Sequence, residues 1–510
     1  MKKYNLILLI TLALIAHSCF EDHTNYDYLD HEVISVKGID ASYNKVSMVD
    51  SLNITPTVSS SDLKAEFDYF WGIYETSVQG SAPKVDTISK ELSLKYLIRQ
   101  PAKTWVLVFG AKNKNTGYTK LITSTINVGT QFTRGWYVLK NEGNQSDLDL
   151  FLTPTSFEPA STVPNVYSFV NNRKLDGKGL GMNFESTYKS FVTGVNANTR
   201  AFFIFTDNDA SIVNTNTMKE IKNFGQCFYT APAVKSPGFI MVGSMADYFI
   251  NNGQLHSIYT MSSNNGIFGS IQMRDAVNSP YYLSKYYITT SVNDPIFFDE
   301  TSSSFISAGG AGTMLTAVTD AAGTAMSANK NNKNLLFMGI SNTGSTTLAG
   351  VAVLADKTNP QLKILSTITP KVSAFKMVND TLLSTSKLYN ATKYAANIGD
   401  ETLLYFVVGN EVWSRNLTNK FEQLQYKVPA GETITFIKHR KYTTTTEPAY
   451  AYNFIMVGST DGTNYSIRMF NKSAGNLAGT PSVVLTGKGQ ATDVFYLSPS
   501  VNYTTYPNTY

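Results

Sequence analysis

The chain has 510 residues and a formal net charge of +4 at pH 7, with 16% charged, 43% hydrophobic and 12% aromatic residues. Its length and apolar content predict two or more domains with buried cores. The near-neutral charge gives no electrostatic reason to expect a nucleic-acid partner, and a weakly charged, aromatic-rich composition is typical of extracellular β-structure and of surfaces that bind neutral ligands.

The first residues have the pattern of a secretory signal. Lys2 and Lys3 precede an apolar run over residues 6–15, and such a run is too short to be a membrane span. Removing the two lysines with the signal lowers the formal charge from +4 to +2. We predict that residues 1–18 are a signal peptide.

Cys19 stands at the end of this signal, directly after the small residue Ser18. The segment resembles the lipobox of bacterial lipoproteins, with Ala16 and His17 in place of the commoner leucine and small residue. The resemblance implies that Cys19 becomes the first mature residue and carries the lipid, which anchors the protein to the outer membrane without spanning it. The alternative is a secreted protein in which Cys19 is incidental.

Two acidic residues, Glu21 and Asp22, follow the cysteine. They resemble the export signal of surface lipoproteins in Gram-negative bacteria that run SusC/SusD-type nutrient uptake, and they imply a position facing the cell exterior. Each buried lipid methylene adds about 0.8 kcal/mol to membrane binding, so a diacylated cysteine anchors firmly. Residues 19–30 are mostly polar, which predicts a lipidated tether.

The only other cysteine of the chain is Cys227. With Cys19 carrying lipid, no intramolecular disulfide can form, and stability has to come from burial and hydrogen bonds. We interpret Cys227 as a small buried hydrophobic residue.

Residues 31–130 contain seven short runs that alternate with a period of two or are rich in β-branched residues. Each is bounded by Gly, Pro, Asn, Asp or Ser, which is typical of strands joined by turns. The runs cover residues 32–37, 52–58, 67–74, 84–88, 92–97, 104–112 and 120–128. Seven short strands in about a hundred residues predict an immunoglobulin-like β-sandwich.

Two of these runs carry a family resemblance. Trp71 stands in the middle of run 67–74, where an aromatic side chain fills the space between two sheets, and run 104–112 leads to a polar turn that ends at Gly117. Together with the Asn-Tyr-Asp-Tyr sequence of residues 25–28, they resemble the PKD-like domain that opens a family of surface lipoproteins. The resemblance implies a PKD-like β-sandwich.

The sequence changes character at Gly135-Trp136, which the Ser-Asp-Leu sequence of residues 146–148 follows. In lipoproteins of the PKD-like family a similar pair of segments begins the larger C-terminal region. We therefore place a domain boundary at residues 129–133 and assign residues 131–510 to a second domain.

A repeated unit recurs in this second domain: an apolar strand, a tight Asn, Asp or Gly turn, and a second strand. It is present in full at residues 202–214, 403–414 and 454–470, and in half at 252–258 and 335–339. Spacings of roughly 40 to 70 residues suit four-stranded blades. We predict an all-β chain in which a β-propeller of about seven blades follows the sandwich; a pair of β-sandwiches is the alternative.

Closure of such a ring needs a strand pair between its two ends. Residues 136–140 and 492–497 are suitable partners. Residues 308–334, rich in Gly, Ala, Thr and Asn, are predicted to be a long loop or insertion.

No residue pattern predicts catalysis or a metal site. The mature chain has four scattered histidines without the spacing of a zinc site, His23, His31, His256 and His439. The carboxylate pairs Asp147/Asp149 and Asp299/Glu300 are of the kind that glycosidases use, but we expect them to be solvated or to cap turns. We predict a protein that is not an enzyme and has no cofactor.

Binding remains as the predicted activity. The chain has 30 tyrosines and 29 phenylalanines, concentrated at residues 281–282, 286–287 and 503–510, and aromatic faces stack on sugar rings and peptide side chains. Since β-sheets use aromatic residues throughout, no individual ligand contact is assigned.

The family resemblance implies a non-catalytic accessory of a SusC/SusD-type transporter that binds an oligosaccharide or oligopeptide at the outer surface. The alternatives are a surface hydrolase of the same nutrient and a structural or adhesion lipoprotein. The sequence leaves open the ligand, the binding residues and the oligomeric state.

Overall fold

The computed structural model describes residues 32–47, 50–75, 83–290, 293–344, 347–399, 401–506 and 508–509. Strands make up 55% of the structure and helices 4%, which confirms the predicted all-β class. No helix among the described residues is long and apolar enough to cross a bilayer. The predicted signal peptide (1–18), the tether (19–30), Cys19, Glu21 and Asp22 lie outside the described residues.

The described residues form two compact units that divide between Gly129 and Thr130. The N-terminal unit has nine strands. They are β1 (Ile34–Lys37), β2 (Ser42–Val46), β3 (Ser51–Ile54), β4 (Thr57–Ser60), β5 (Phe67–Glu75), β6 (Asp86–Ser89), β7 (Leu94–Leu97), β8 (Lys103–Asn113) and β9 (Thr119–Gly129). They form a five-stranded sheet in the order β2-β9-β8-β5-β6 and the pairs β1-β4 and β3-β7.

The core of the N-terminal unit lies between the five-stranded sheet and the β3-β7 pair. Trp71 of β5 is fully buried there and packs against Phe109 of β8, with ring centroids 4.7 Å apart. Its indole N–H donates hydrogen bonds to the backbone oxygens of Glu91 and Leu92. The prediction that Trp71 anchors this core is confirmed.

The C-terminal unit begins with the strands of three sheets. They are β10 (Gly135–Glu142), β11 (Gln145–Leu152), β12 (Ser161–Val163), β13 (Leu175–Asp176), β14 (Gly179–Ser190), β15 (Ala197–Thr206), β16 (Ala210–Asn214), β17 (Glu220–Asn223), β18 (Pro237–Val242), β19 (Ala246–Asn251) and β20 (Gln254–Tyr259). A short helix, α1 (Val166–Asn171), follows β12.

The remaining strands continue the same pattern. They are β21 (Leu283–Thr290), β22 (Asn293–Asp299), β23 (Ser304–Ala308), β24 (Leu315–Ala317), β25 (Lys333–Asn342), β26 (Ala349–Asp356), β27 (Lys363–Thr369), β28 (Lys376–Thr381), β29 (Lys393–Ala396), β30 (Leu403–Val408), β31 (Glu411–Asn416), β32 (Glu422–Lys427), β33 (Thr433–Tyr442), β34 (Tyr452–Thr460), β35 (Asn464–Phe470), β36 (Lys472–Ser473), β37 (Asn476–Leu477), β38 (Val483–Lys488), β39 (Gln490–Leu497) and β40 (Asn508–Thr509). Short 3-10 helices occur at Gln131–Thr133, Phe224–Cys227, Leu388–Asn390 and Pro448–Tyr450.

Apart from the β36-β37 hairpin, the described strands of the C-terminal unit form seven sheets. In chain order they are sheet 1 (β12-β11-β10-β39, with β13 on β11), sheet 2 (β14 to β17), sheet 3 (β18 to β20), sheet 4 (β24-β23-β22-β21-β40), sheet 5 (β25 to β28), sheet 6 (β29 to β32) and sheet 7 (β33-β34-β35-β38). Neighbouring strands within each sheet are antiparallel, and this includes β40, which joins β21 in sheet 4.

One strand of each sheet lies beside the corresponding strand of the next sheet. These inner strands follow one another in the order β39, β14, β18, β21, β25, β29 and β33, and β33 again lies beside β39. In sheet 1 the inner strand is the C-terminal β39, which pairs antiparallel with β10 and aligns Trp136 with Tyr496. The predicted pairing of residues 136–140 with residues 492–497 is confirmed.

The C-terminal segment continues past β39. Tyr506 is buried and its hydroxyl lies 2.9 Å from that of Tyr452, while the backbones of Asn508 and Thr509 pair with β21 near its C-terminal end. The segment therefore passes from sheet 1 to sheet 4 across the C-terminal ends of the inner strands.

Candidate functional site

The N-terminal ends of the inner strands surround a cavity of about 230 Å³, which we call the central cavity. Six of the seven sheets contribute residues to its lining. These residues are Gly179, Leu180, Phe239, Lys285, Tyr286, Thr392, Lys393, Tyr394, Thr435, Phe436, Ile437, Lys438, Thr492 and Asp493. Since these residues span more than 300 positions of the chain, only the arrangement of the sheets brings them together.

The lining combines three lysines with one carboxylate, and that carboxylate is already engaged. Asp493 of β39 forms an ion pair with Lys438 of β33. Its oxygens also accept hydrogen bonds from the backbone N–H groups of Met182 (2.9 Å) and Val494 (2.8 Å). Burial lowers the pKa of Lys438, and the charge of Asp493 opposes that effect. Asp493 therefore compensates one lysine of the cavity.

Lys393, the first residue of β29, has no acidic partner within 4 Å in the described part of the chain. Burial lowers its pKa, and the positive charge of Lys285 on β21 lowers it further. A like charge nearby disfavours the charged form of a half-buried lysine such as Lys393, whereas Lys285 is exposed. The Lys285 and Lys393 side of the cavity is therefore cationic.

An aromatic cluster lies beside these two lysines. The ring of Tyr394 stacks on Phe337 of β25 with centroids 5.2 Å apart, and Tyr286 meets the same phenylalanine edge-on at 5.5 Å. The Tyr394 hydroxyl donates a 3.0 Å hydrogen bond to the backbone oxygen of Ala391, and burial raises its pKa. Both tyrosines are half-buried and line the cavity.

A second opening lies at the other end of the inner strands. This cleft of about 630 Å³ is lined by the end of β33, the threonine-rich loop 443–446 and residues of the C-terminal segment. Among the described residues no carboxylate lines it, and its polar groups include threonine hydroxyls together with the side chains of His439, Arg440 and Lys441. Because the C-terminal segment covers this end, the central cavity is the better candidate for a ligand site.

The carboxylate pair Asp147/Asp149, which was expected to be solvated or to cap turns, is buried and therefore not solvated. Asp147 accepts hydrogen bonds from the N–H groups of Leu148 and Ser168 and so caps helix α1, and burial raises its pKa. Asp149 forms an ion pair with Lys140 at 3.0 Å. Neither carboxylate lines the central cavity.

In the pair Asp299/Glu300, the first residue, Asp299, caps a turn, as expected. Asp299 is fully buried and accepts hydrogen bonds from the N–H groups of Tyr282 and Thr301. Arg274 lies 3.4 Å from the same carboxylate. Burial raises the pKa of Glu300.

Sequence reasoning missed a further buried acid pair, Glu185 on β14 and Asp247 on β19. Burial raises the pKa of Asp247, and the charge of Glu185 raises it further. Burial also raises the pKa of Glu185, although Thr187 donates two hydrogen bonds to it. Oδ1 of Asp247 has no hydrogen-bond partner among the described residues. No motif links the two positions in sequence, so the pair becomes visible only in the fold.

This pair predicts a pH dependence of stability. The folded-state pKa of Asp247 lies above that of an unfolded aspartate, about 3.9. At a pH between these two pKa values the folded protein therefore binds more protons than the unfolded chain does. The free energy of unfolding then falls as pH rises, by up to about 1.4 kcal/mol per pH unit for one proton. We expect Asp247→Asn to flatten this slope and to be more stable than the native chain at pH 8. Urea unfolding between pH 4 and pH 8 measures this slope. The control is Asp86→Asn, a substitution at an exposed aspartate.

The histidines with described positions are structural. His256 is buried and its Nδ1 lies 2.8 Å from the backbone oxygen of Gly269. Nδ1 of His439 accepts a hydrogen bond from the N–H of Ile398, which leaves Nε2 to donate to Asn453. Within the described residues no cluster of His, Cys, Asp and Glu is arranged to hold a metal ion.

Cys227 lies in a 3-10 helix and is fully buried, as predicted. Burial raises the pKa of its thiol to about 12. Because a thiol of this pKa stays protonated at neutral pH, it is unreactive.

Comparison with known proteins locates a family match in the first third of the chain. The sequence profile of the PKD-like family matches residues 19–179, which include the whole described N-terminal unit. No curated protein matches the chain.

Several solved structures share similarity with the chain, and they are β-propeller-like. A quinoprotein alcohol dehydrogenase-like protein from Bacteroides thetaiotaomicron is 13% identical, with 89% of this chain and 96% of that chain covered, at a TM-score of 0.40. A Synechocystis apocarotenoid oxygenase is 6% identical, with coverages of 92% and 96%, at 0.39. The extracellular domain of a one-component system from B. thetaiotaomicron is 9% identical, with coverages of 91% and 70%, at 0.36.

Proposed function

We propose that the C-terminal unit is a β-propeller of seven blades. The support is the cyclic order of the inner strands, in which β33 lies beside β39, and the pairing of β39 with β10. A blade completed by strands from both ends of the chain is the usual means by which a propeller closes. A pair of β-sandwiches would instead stack its sheets face to face.

We propose further that the protein is a lipoprotein of the outer membrane, held by lipid on Cys19 and facing the cell exterior, that binds a nutrient without transforming it. The nutrient is an oligosaccharide or oligopeptide, and the protein acts as an accessory of a SusC/SusD-type transporter. The localisation rests on the Lys2-to-Asp22 sequence, and the transporter partner rests on the resemblance of Glu21 and Asp22 to the export signal of such lipoproteins.

The observation that carries the binding proposal is the central cavity itself. It places half-buried tyrosine rings beside lysine ammonium groups and the hydroxyls of Thr435 and Thr492. Sites for small ligands typically combine such an apolar or aromatic wall with a few convergent polar groups. Aromatic rings stack on sugars and side chains, while the hydroxyls and ammonium groups orient polar substituents.

The carboxylates favour binding over glycoside hydrolysis. A glycosidase needs two carboxyl groups on either side of the scissile bond. Within the described lining of the central cavity there is one, Asp493, and its oxygens are held by Lys438 and two backbone N–H groups. The buried pairs Asp147/Asp149 and Glu185/Asp247 lie outside this lining.

Calorimetric titration of the chain from Glu21 onward with panels of oligosaccharides and oligopeptides tests the proposal. We expect binding of at least one class, with no new products in the same samples by mass spectrometry. Tyr286→Ala should weaken that binding by about 0.5–1.5 kcal/mol, or up to about tenfold, whereas Tyr118→Ala, an exposed tyrosine of the N-terminal unit, should not change it.

Other outcomes would replace the proposal with one of its alternatives. Cleavage products would make the protein a surface hydrolase. Tight association with the transporter in the absence of any ligand affinity would favour a structural or adhesion role.

A further inference from the structure

We infer that the nutrient bound in the central cavity carries a carboxylate group, and that this group binds between Lys285 and Lys393. The inference rests on the proposed binding function and names the class of ligand. A uronic acid of an acidic oligosaccharide and the C-terminus of an oligopeptide both offer the same chemistry.

Both lysines lie near the N-terminal ends of inner strands. Lys285 and Tyr286 belong to β21, and Lys393 and Tyr394 belong to β29. Strand β25 lies between these two strands, and both tyrosines pack against its Phe337. The same Lys-Tyr dipeptide therefore flanks β25 on both sides, and both lysines line the same cavity.

The surroundings of Lys393 supply no compensating charge. Among the lining residues the only acid is Asp493, which pairs with Lys438. The other titratable groups at the cavity are Lys285 and the phenols of Tyr286 and Tyr394, none of which is an anion at neutral pH. A ligand carboxylate would supply the negative charge that Lys393 lacks among the described residues and would accept a charge-assisted hydrogen bond from its ammonium group.

The arrangement also predicts how binding depends on pH. Burial and the charge of Lys285 both lower the pKa of Lys393, so this lysine loses its proton at a lower pH than an exposed lysine does. Only the protonated form attracts a carboxylate. We expect affinity to weaken as pH rises, and we expect this loss to begin at a pH below the ordinary lysine pKa of about 10.4.

The decisive experiment compares charged and neutral forms of the same ligand on the chain from Glu21 onward. One arm uses trigalacturonate and its methyl ester; the other uses a tripeptide with a free C-terminus and its C-terminal amide. One of the two arms matches the chemical class of the natural ligand. In that arm we expect the charged form to bind at least about tenfold more tightly than the neutral form, which is the gain expected of a charge-assisted hydrogen bond.

A matched pair of lysine variants locates the effect. Lys393→Gln should abolish the preference for the charged form, whereas Lys376→Gln, at an exposed lysine of β28, should keep it. Since the folded state disfavours the charge of Lys393, we expect Lys393→Gln to melt at or above the temperature of the native chain, which separates lost binding from lost folding.

The outcomes distinguish this inference from the function on which it rests. Equal binding of the charged and neutral forms, or an unchanged preference in Lys393→Gln, would overturn the inference and leave the binding function standing. Failure of every charged and neutral oligomer to bind would overturn both.

Discussion

Deletion of residues 490–510 should leave the protein insoluble. The deletion removes β39, which pairs along its whole length with β10 and lies beside both β14 and β33. Four consecutive residues of this strand, 494–497, are almost fully buried in the core. Without them the inner edge of β10 and the apolar faces of the neighbouring sheets become exposed, and unpaired edges of this kind promote aggregation.

A pair of valine substitutions provides the control for the deletion. Val494 of β39 is fully buried, whereas Val484 of the outer strand β38 is 46% exposed. We expect Val494→Asp to reproduce the insolubility, because it buries a charge without a partner, and Val484→Asp to remain soluble. The readout is the soluble fraction after expression, followed by circular dichroism. A soluble deletion variant that unfolds cooperatively would contradict the proposed closure.

The sequence was most informative about the strands of the N-terminal unit, where periodicity and turn residues coincide. The run 67–74 corresponds to β5 and the run 104–112 to β8. The run 52–58 is instead two strands, β3 and β4, because Pro56 interrupts it. Strand β2 was missed, since its sequence Ser-Tyr-Asn-Lys-Val is largely polar and it pairs in parallel with the distant β9.

The repeated unit found in the sequence corresponds to the central hairpin of a sheet. Residues 202–214 form β15 and β16, and residues 403–414 belong to β30 and β31, which are the second and third strands of their sheets. The exception is 335–339, which lies in the first strand β25. Central strands are buried on both faces and so carry the strongest apolar signal, whereas the outer strands are partly exposed and varied.

The candidate site was much less accessible to sequence reasoning. Tyr286 belongs to one of the aromatic concentrations noted in the sequence, but Tyr394 and Lys393 do not. Their shared Lys-Tyr dipeptide is too short to be recognised without the fold. Asp147 and Asp149 were expected to be solvated or to cap turns, yet helix α1 and Tyr465 cover that face of β11.

Lys140→Met should destabilise the C-terminal unit by about 3–5 kcal/mol, the range for breaking a buried ion pair. Lys140 is 2% exposed and lies 3.0 Å from Asp149 and 2.8 Å from Glu142. Its loss leaves Asp149 buried, and the donors that remain to it among the described residues are the hydroxyl of Tyr465 and the N–H of Asn165. Urea unfolding of the full chain at pH 7 measures the change.

Removing both charges tests whether the uncompensated carboxylate causes this loss. We expect Lys140→Met combined with Asp149→Asn to recover most of the stability, because neutral groups of similar volume replace a buried pair at little cost. Lys427→Met breaks a surface pair in which the lysine is 60% exposed, and should cost about 0–1 kcal/mol. A double variant as unstable as the single one would show that Lys140 acts through packing instead.

The same ion pair fixes the sign of a pH effect. Burial lowers the pKa of Lys140, but the hydrogen bonds and charges of Glu142 and Asp149 raise it by more, so the net shift is upward. A lysine with a raised folded-state pKa stabilises the protein fully below its unfolded value, about 10.4, and loses that contribution as pH rises through the folded value. The difference in unfolding free energy between the native chain and Lys140→Met should therefore be constant around neutral pH and shrink only in strongly alkaline solution. A difference that persists undiminished there would mean that the charge of Lys140 contributes nothing to it.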